Sequence, residues 1–409
     1  MNRQTRRLAY LSGAPRVSTS PDAVLSGPRT HVMGVIRGFE QLGWEVKPFI
    51  VGDKVPRHWV VEERTEDALR ASYVKRVVAD ILRIQMGVLN GWRAQGELRA
   101  VDWVYERFGA FQMLGRWFQR RGIPWILETN ALLYREAVQD RNTIALSKLL
   151  RAFEQEAYRR CDVLICVSQA LADIVISETG VRPEKVVVLP NGVDTTHFDP
   201  ERHKGKRFFR QSTLGFVGHL STWQRLDLLI EALAELRSEG VDINLVVVGE
   251  GPMRVAWEEF SRSLGQADYI RFLGRVPWTE VPAYIAGFDL GYAGAVPLSS
   301  GSMYLSPLKL YEYMAMAKPV IASAYEDART VIRAGETGYL FQPEDKQDLK
   351  RALRTALNTR ESWPEIGKKA RIEVVNRHSW TARIQDAIPK IETILEKKYG
   401  KPYLAGSRG

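Results

Sequence analysis

The feature that most constrains this chain of 409 residues is a rhythm of short, β-rich apolar runs divided by longer amphipathic stretches. In the first half the runs are Leu8–Leu11, Trp44–Val51, Trp103–Tyr105, Trp125–Glu128, Val163–Val167 and Val186–Leu189, with helical patterns such as His31–Leu42 and Ile144–Arg160 between them. A second series follows: Thr213–Val217, Asn244–Val248, Ile270–Leu273, Leu290–Tyr292 and Pro319–Ile321, with helical patterns at Arg225–Arg237 and Pro307–Ala317. Continuously apolar strands alternating with helices predict an α/β fold with parallel sheets covered on both faces. Two series, in a chain too long for one ordinary core, predict two Rossmann-like domains facing across a cleft. The expected division is an N-terminal domain over 1–193, a linker over 194–206 and a C-terminal domain over 207–379. A last long helix, within 380–409, is expected to pack back on the first domain. Helices are expected between Lys54 and Ala100, where pairing cannot be read.

Composition excludes several classes. Hydrophobic residues at 45% and charged residues at 26% are the balance of an ordinary globular protein. No apolar run approaches the roughly 20 residues that span a bilayer, and the run after Arg3, Arg6 and Arg7 is too short for a signal-peptide core. The expected location is cytoplasmic. Cys161 and Cys166 lack metal or disulfide spacing and read as buried free thiols. A net charge of +10 favours anionic company. No zinc-finger, helix-turn-helix or RNA-binding signature accompanies it, so nucleic acid is not expected as a partner. Arg116, Trp117, Arg120 and Arg121, with Arg93, Arg99 and Arg107, form a basic cluster that reads as a solvated helix face or as a patch for an anionic membrane surface.

Two stretches suit a phosphate-bearing ligand. Val246–Val248 runs into Gly249-Glu250-Gly251-Pro252-Met253-Arg254, a strand, a G-x-G turn and a helix start. Arg254 replaces the third glycine of the dinucleotide fingerprint, so this is also simply a tight strand-to-helix turn. The run Gly301–Ala315 is more specific. Ser306 is placed as the N-cap and Pro307 as the first helical residue, leaving the N–H groups of Leu308 and Lys309 for an anion. A lysine in the first turn opposes the helix dipole unless a diphosphate sits there. Glu312, three residues on, shares its face and could accept from ribose hydroxyls.

The run from Ser306 to Ser323, Ser-Pro-x-Lys-Leu-x-Glu-Tyr-Met-Ala-x-x-Lys-Pro-Val-Ile-Ala-Ser, resembles the donor-site signature of retaining glycosyltransferase family 4. Further resemblances fall in order: Val188–Asp194 with Phe198 and Pro200, Phe216–Leu220 with Leu226–Leu229, Phe272–Val276, Gly335-x-Thr337-Gly338, and a first-half pattern Tyr105-Glu106-Arg107 with Glu128-x-Asn130-Ala131. The resemblance implies a GT-B architecture and transfer of a sugar, with retention, from a nucleotide sugar to a glycan, lipid-linked or small-molecule acceptor. It implies no cofactor and no metal, and UDP-sugar over GDP-sugar. Donor binding would fall to Gly218, His219, Gly249, Gly274, Arg275, Val276, Tyr304, Ser306, Pro307, Leu308, Lys309 and Glu312. Glu312 would hold the ribose, Ser306–Lys309 the diphosphate and Gly274–Val276 the base. Asn130 and Glu128 would face the donor sugar, and Gly27, Arg29, Thr30 and Arg107 would line the acceptor side.

Departures from the family pattern are equally specific. Tyr304 stands where the first of two glutamates is usual, and His219 and Gln224 stand where an arginine and a lysine usually meet the diphosphate. Arg225 and Lys309 are expected to supply that charge and thereby act in catalysis. No histidine lies near Glu128–Asn130 in sequence, and His31, His58 and His197 read as structural. A sugar-nucleotide epimerase or hydrolase, or an inactive nucleotide-sugar-binding partner, is the alternative reading.

Overall fold

The computed structural model describes residues 5–20, 26–55, 69, 72–139, 143–296, 303–304 and 306–400. His58, Gly301, Ser302 and Leu305, and parts of the segment between Lys54 and Ala100, lie outside them. The chain divides into two compact units, Met1–Pro190 with Trp380–Gly409, and Asn191–Ser379.

The first unit carries a parallel sheet ordered β2-β1-β3-β4-β5-β6. Its strands are β1 (Arg7–Ser12), β2 (Glu45–Ile50), β3 (Trp103–Arg107), β4 (Trp125–Thr129), β5 (Val163–Cys166) and β6 (Val186–Val188). Its helices are α1 (Gly27–Gln41), α2 (Tyr73–Glu97), α3 (Gly115–Gln119), α4 (Leu133–Gln139), α5 (Ser147–Arg160) and α6 (Gln169–Thr179). Each expected first-half strand is present. β1, β4 and β5 are buried almost throughout, as strands covered on both faces must be.

In the second unit the order is β12-β11-β10-β7-β8-β9, again all parallel. The strands are β7 (Thr213–Val217), β8 (Asn244–Val248), β9 (Ile270–Gly274), β10 (Leu290–Ala293), β11 (Val320–Ser323) and β12 (Gly338–Phe341). The helices are α7 (Leu226–Ser238), α8 (Arg254–Ser263), α9 (Val281–Ala286), α10 (Leu308–Ala315), α11 (Glu326–Val331), α12 (Lys346–Asn358) and α13 (Trp363–Arg377). Strand β12 is not among the expected runs: its apolar stretch is only Tyr339-Leu340-Phe341, after Gly338. Residues 194–206, read above as a linker, lie in this unit: Phe198 is buried in the cluster that holds Leu310, Tyr311 and Met314.

The last helix, α14 (Trp380–Tyr399), packs on α1 within the first unit. Two glycines one turn apart make this approach close. A Cβ at Gly34 would lie 2.0 Å from Trp380 Nε1, and one at Gly38 would lie 2.5 Å from Ile384 Cδ1. Cys161 and Cys166 are buried and unbridged.

Candidate functional site

An open parallel sheet offers its ligand crevice at the carboxyl ends of strands flanking the point where the order reverses. In the second unit that point lies between β7 and β10. Helix α10 is fastened there by its own sequence. Tyr313 Oη accepts the Val217 N–H at 2.7 Å, and Gly291 in β10 leaves room for the Tyr313 ring, where a Cβ would lie 2.4 Å from its Cδ2. Leu310, Tyr311, Tyr313, Met314 and Ala315 are buried, so Lys309 and Glu312 fall on the helix face that remains partly exposed.

Lys309 reaches the end of β7. Its ammonium donates to Gln224 Oε1 at 2.6 Å and lies 3.9 Å from the centroid of the Phe216 ring. A Cβ on Gly218 would sit 3.1 Å from Lys309 Nζ, and Gly218 has φ +150°, so glycine is what lets the two meet. Burial pushes Lys309 down to about 7, with Glu312 opposing it, and burial pushes Glu312 up to about 7, with Lys309 opposing that. This is a cation and a carboxyl held in poor solvation at a helix N-terminus, short of the compensation that a ligand anion and hydroxyls would bring.

The helix start differs from the expected one. Pro307 occupies the cap position and Leu308 begins the helix, with no side-chain cap. Ser306 instead clasps the chain before β7: its Oγ accepts the Asn191 N–H at 3.0 Å, and Asn191 Nδ2 donates to the Ser306 carbonyl. The backbone turns away one residue late because Ser306 is held by a partner 115 positions distant, which local capping preference cannot reveal.

The Gly249-Glu250-Gly251 turn is accounted for by packing between loops. Gly249 N–H donates to the Gly274 carbonyl at 2.8 Å, and Leu220 N–H to the Glu250 carbonyl at 2.9 Å. A Cβ on Gly249 would lie 1.9 Å from Gly218 O, and one on Gly251 2.5 Å from Leu220 O. The two glycines let three strand-end loops touch through their backbones, and the Gly249 N–H is not left for a phosphate. Arg254 pairs with Glu250 and Glu258.

Arg225 is the other departure from expectation. It stands at φ +45° ahead of α7, and its Nε donates to both Asp227 oxygens at 3.0 and 3.1 Å, with Glu344 3.5 Å from Nη1. Its charge is thus shared with two carboxylates, and the cation beside Gly218 is Lys309. Tyr304 is buried, His219 and Arg275 are exposed, and Val276 packs against the α10 cluster.

In the first unit the reversal falls between β1 and β3, with β4 next in line. The Tyr-Glu-Arg and Glu-x-Asn runs interlock there, because register sets Arg107 opposite Glu128. Tyr105 Oη donates to Glu128, Asn130 Nδ2 donates to Glu128 Oε1 at 2.6 Å, and Arg107 Nε donates to Asn130 Oδ1 at 3.1 Å. Glu106 points the other way and accepts the N–H groups of Leu114 and Gly115, both at 2.8 Å. His31 completes the cluster from α1, its Nε2 2.6 Å from Glu128 Oε1 and its ring edge-on to Trp380 at 5.0 Å. Burial pushes the Glu128 carboxyl up, but His31, Tyr105 and Arg107 outweigh it and hold it below the ordinary range.

Gly27–Thr30, which precede the expected helix start at His31, form the first turn of α1. Ser26 Oγ caps the Arg29 N–H, Thr30 N–H donates to the Ser26 carbonyl at 3.0 Å, and Arg29 Nη2 donates to the Ser20 carbonyl at 3.1 Å. The Ser-Gly-Pro triplet was a legible N-cap signal. Reading it would have moved the helix start back four residues and shown His31 as the residue one turn in. His197 is stacked on Trp278 at 3.4 Å, a packing role.

The fold and these two sites define an α/β protein of the GT-B class. Sucrose-phosphate synthase from Thermosynechococcus elongatus superposes with a TM-score of 0.66 at 16% identity, covering 97% of this chain and 99% of that one. HepE of Anabaena in complex with UDP and glucose superposes with a TM-score of 0.61 at 16% identity over 95% and 100%. Residues 25–197 match the family described as Glycosyltransferase Family 4, and residues 198–373 match Glycosyl transferases group 1. The chain belongs to these GT-B, family 4 type glycosyltransferases. Among curated proteins, WcaL of Salmonella typhimurium, a glycosyltransferase named for colanic acid biosynthesis, is 29% identical over 203 residues, 49% of this chain and 48% of its own. The chain spans about half the length of the first curated relatives it matches.

Proposed function

We propose that this chain transfers a sugar from a nucleoside diphosphate sugar to a glycan, lipid-linked or small-molecule acceptor, with retention of anomeric configuration. The observation that carries the reading is Lys309 at the start of α10, pressed against Gly218 and followed by Glu312 on the same face. Bond cleavage at an anomeric carbon leaves negative charge on a diphosphate. Stabilising that growing charge lowers the barrier most when the donors are already in place. The Leu308 and Lys309 N–H groups and the Lys309 ammonium suit the diphosphate, and Glu312 suits the ribose hydroxyls. The acceptor oxygen would bond to the anomeric carbon as the bond to the diphosphate breaks. The leaving phosphate oxygen would take the acceptor's proton on the same face. Glu128 and Asn130 are proposed for sugar hydroxyls, with Arg107 positioning Asn130, and Gly27, Arg29 and Thr30 for the acceptor side. The UDP named in the HepE complex supports a uridine donor.

As the family resemblance implies, we propose no metal for this step. The test is turnover of UDP-, GDP- and ADP-sugars by the purified chain with a panel of acceptors, reading nucleoside diphosphate release and product anomeric coupling by NMR. Acceptor-dependent release with a retained anomer supports the reading. Release at the same rate without any acceptor would mean a hydrolase, and an inverted product would overturn the same-face transfer.

A further inference from the structure

Helix α2 is built inside out. Over its 25 residues the buried positions are Asp80, Gly87, Asn90, Gly91, Ala94 and Gln95, small or polar without exception. Its exposed face carries Val74, Val78, Ile81, Leu82, Val88, Leu89 and Trp92, with Val74 at 69% and Trp92 at 62% exposure. These recur at helical spacing and make one stripe along a helix about 37 Å long. Water-facing helices in a folded domain carry the opposite pattern, and a contiguous exposed apolar face marks an interaction surface.

The buried side shows why the helix is held this way round. Asp80 accepts the Ala145 and Leu146 N–H groups at 2.8 and 2.9 Å, anchoring the start of α5. Gly91 gives room to Trp117, whose carbonyl accepts from Gln95, and Gly87 lies against the Phe111 carbonyl. The polar and small residues are committed to packing, so the aliphatic stripe has no alternative but to face out.

Charge names the occupant. Asp80 is buried, and α2 carries no other acid before Glu97, which pairs with Lys54 at 2.8 Å. Lys75 and Arg93 are exposed and share one edge of the stripe. Lys148 and Leu149, also exposed, stand in the first turn of α5 beside Asp80's anchor, and Arg120 and Arg121 stand exposed just after α3. An aliphatic face with a terminal tryptophan and a cationic rim is what lies flat in the headgroup region of an anionic bilayer. A second copy of this face would set like charges against each other. We propose that α2 is a membrane-docking face that seats this unit on anionic lipid, with its aliphatic stripe inserted and the cationic rim on the headgroups. It does not depend on what the protein transfers.

Co-flotation of the full chain with neutral phosphatidylcholine vesicles, and with vesicles containing about one-third phosphatidylglycerol, tests this. Binding to the anionic vesicles at least about tenfold tighter than to neutral ones is expected, lost with Ile81→Glu/Val88→Glu and weakened by Lys75→Glu/Arg93→Glu. All four positions are solvent-facing, and an unchanged melting curve would show that the variants stay folded. Absence of flotation, or flotation that survives Ile81→Glu/Val88→Glu, would overturn the proposal. So would a dimer in sedimentation that Ile81→Glu/Val88→Glu disperses while wild type ignores vesicles, since the occupant would then be a second copy.

Discussion

The imidazole of His31 meets the carboxylate of Glu128 at 2.6 Å inside the first unit, joining a helix and a strand 97 positions apart. Both side chains are almost fully buried, and Glu128 also accepts from Tyr105 and Asn130. A carboxylate desolvated this far persists only because several donors converge on it.

Removing one partner should therefore cost more than the contact is worth. Glu128→Gln and His31→Ala are each expected to destabilise the chain by about 3 kcal/mol, with a non-additive double variant. Denaturant unfolding of the cycle checks this. Because His31, Tyr105 and Arg107 hold Glu128 low, its contribution is present above the unfolded carboxylate range and is lost as pH falls through the folded value. The wild type should lose stability on the acid side more steeply than Glu128→Gln.

Nucleotide binding should be coupled to protons through Lys309. With Lys309 pushed down to about 7, a diphosphate placed beside it favours the charged form. Calorimetry near pH 7 in buffers of differing ionisation enthalpy is expected to show net proton uptake on binding a nucleoside diphosphate. Affinity should weaken as pH rises above about 7, since the protonated lysine is then lost. In Lys309→Met the uptake should shrink, and if it is unchanged Lys309 is not the cation at the diphosphate.

Glu312→Ala separates donor binding from folding. The carboxyl is pushed up to about 7 by burial, so its removal should leave the melting temperature unchanged or higher. The same variant is expected to lose roughly 10-fold or more in nucleoside diphosphate affinity, read by thermal shift with and without ligand.

Gly249→Ala tests whether that glycine serves packing. Its φ of +145° and the 1.9 Å approach to Gly218 O leave no place for a Cβ. A loss of about 3 kcal/mol in folding stability is expected. Stability near wild type with selective loss of nucleotide affinity would restore the phosphate-loop reading.

Local pattern was enough for much of this molecule. The eleven strand positions read from apolar runs are all occupied, because a strand covered on both faces writes its burial into consecutive residues. The start of α10 was legible to within one residue for the same kind of reason, since Pro307 restricts its own and its neighbour's backbone. The α1 start was written in Ser26-Gly27-Pro28 and simply read four residues late.

What tertiary structure decided are the pairings between distant positions. The sequence determined a doubled α/β chain, a lysine and a glutamate one turn apart at a helix start, and a Glu-x-Asn at a strand end. It did not determine that Arg225 would turn to Asp227 and Glu344, that Ser306 would hold Asn191, or that His31 would reach Glu128. Those choices depend on which elements the sheet order sets side by side. The orientation of α2 belongs with them. The sequence leaves the pairing of 54–100 unread, and only the anchoring of Asp80, Gly91 and Gln95 turns the apolar stripe of α2 outward.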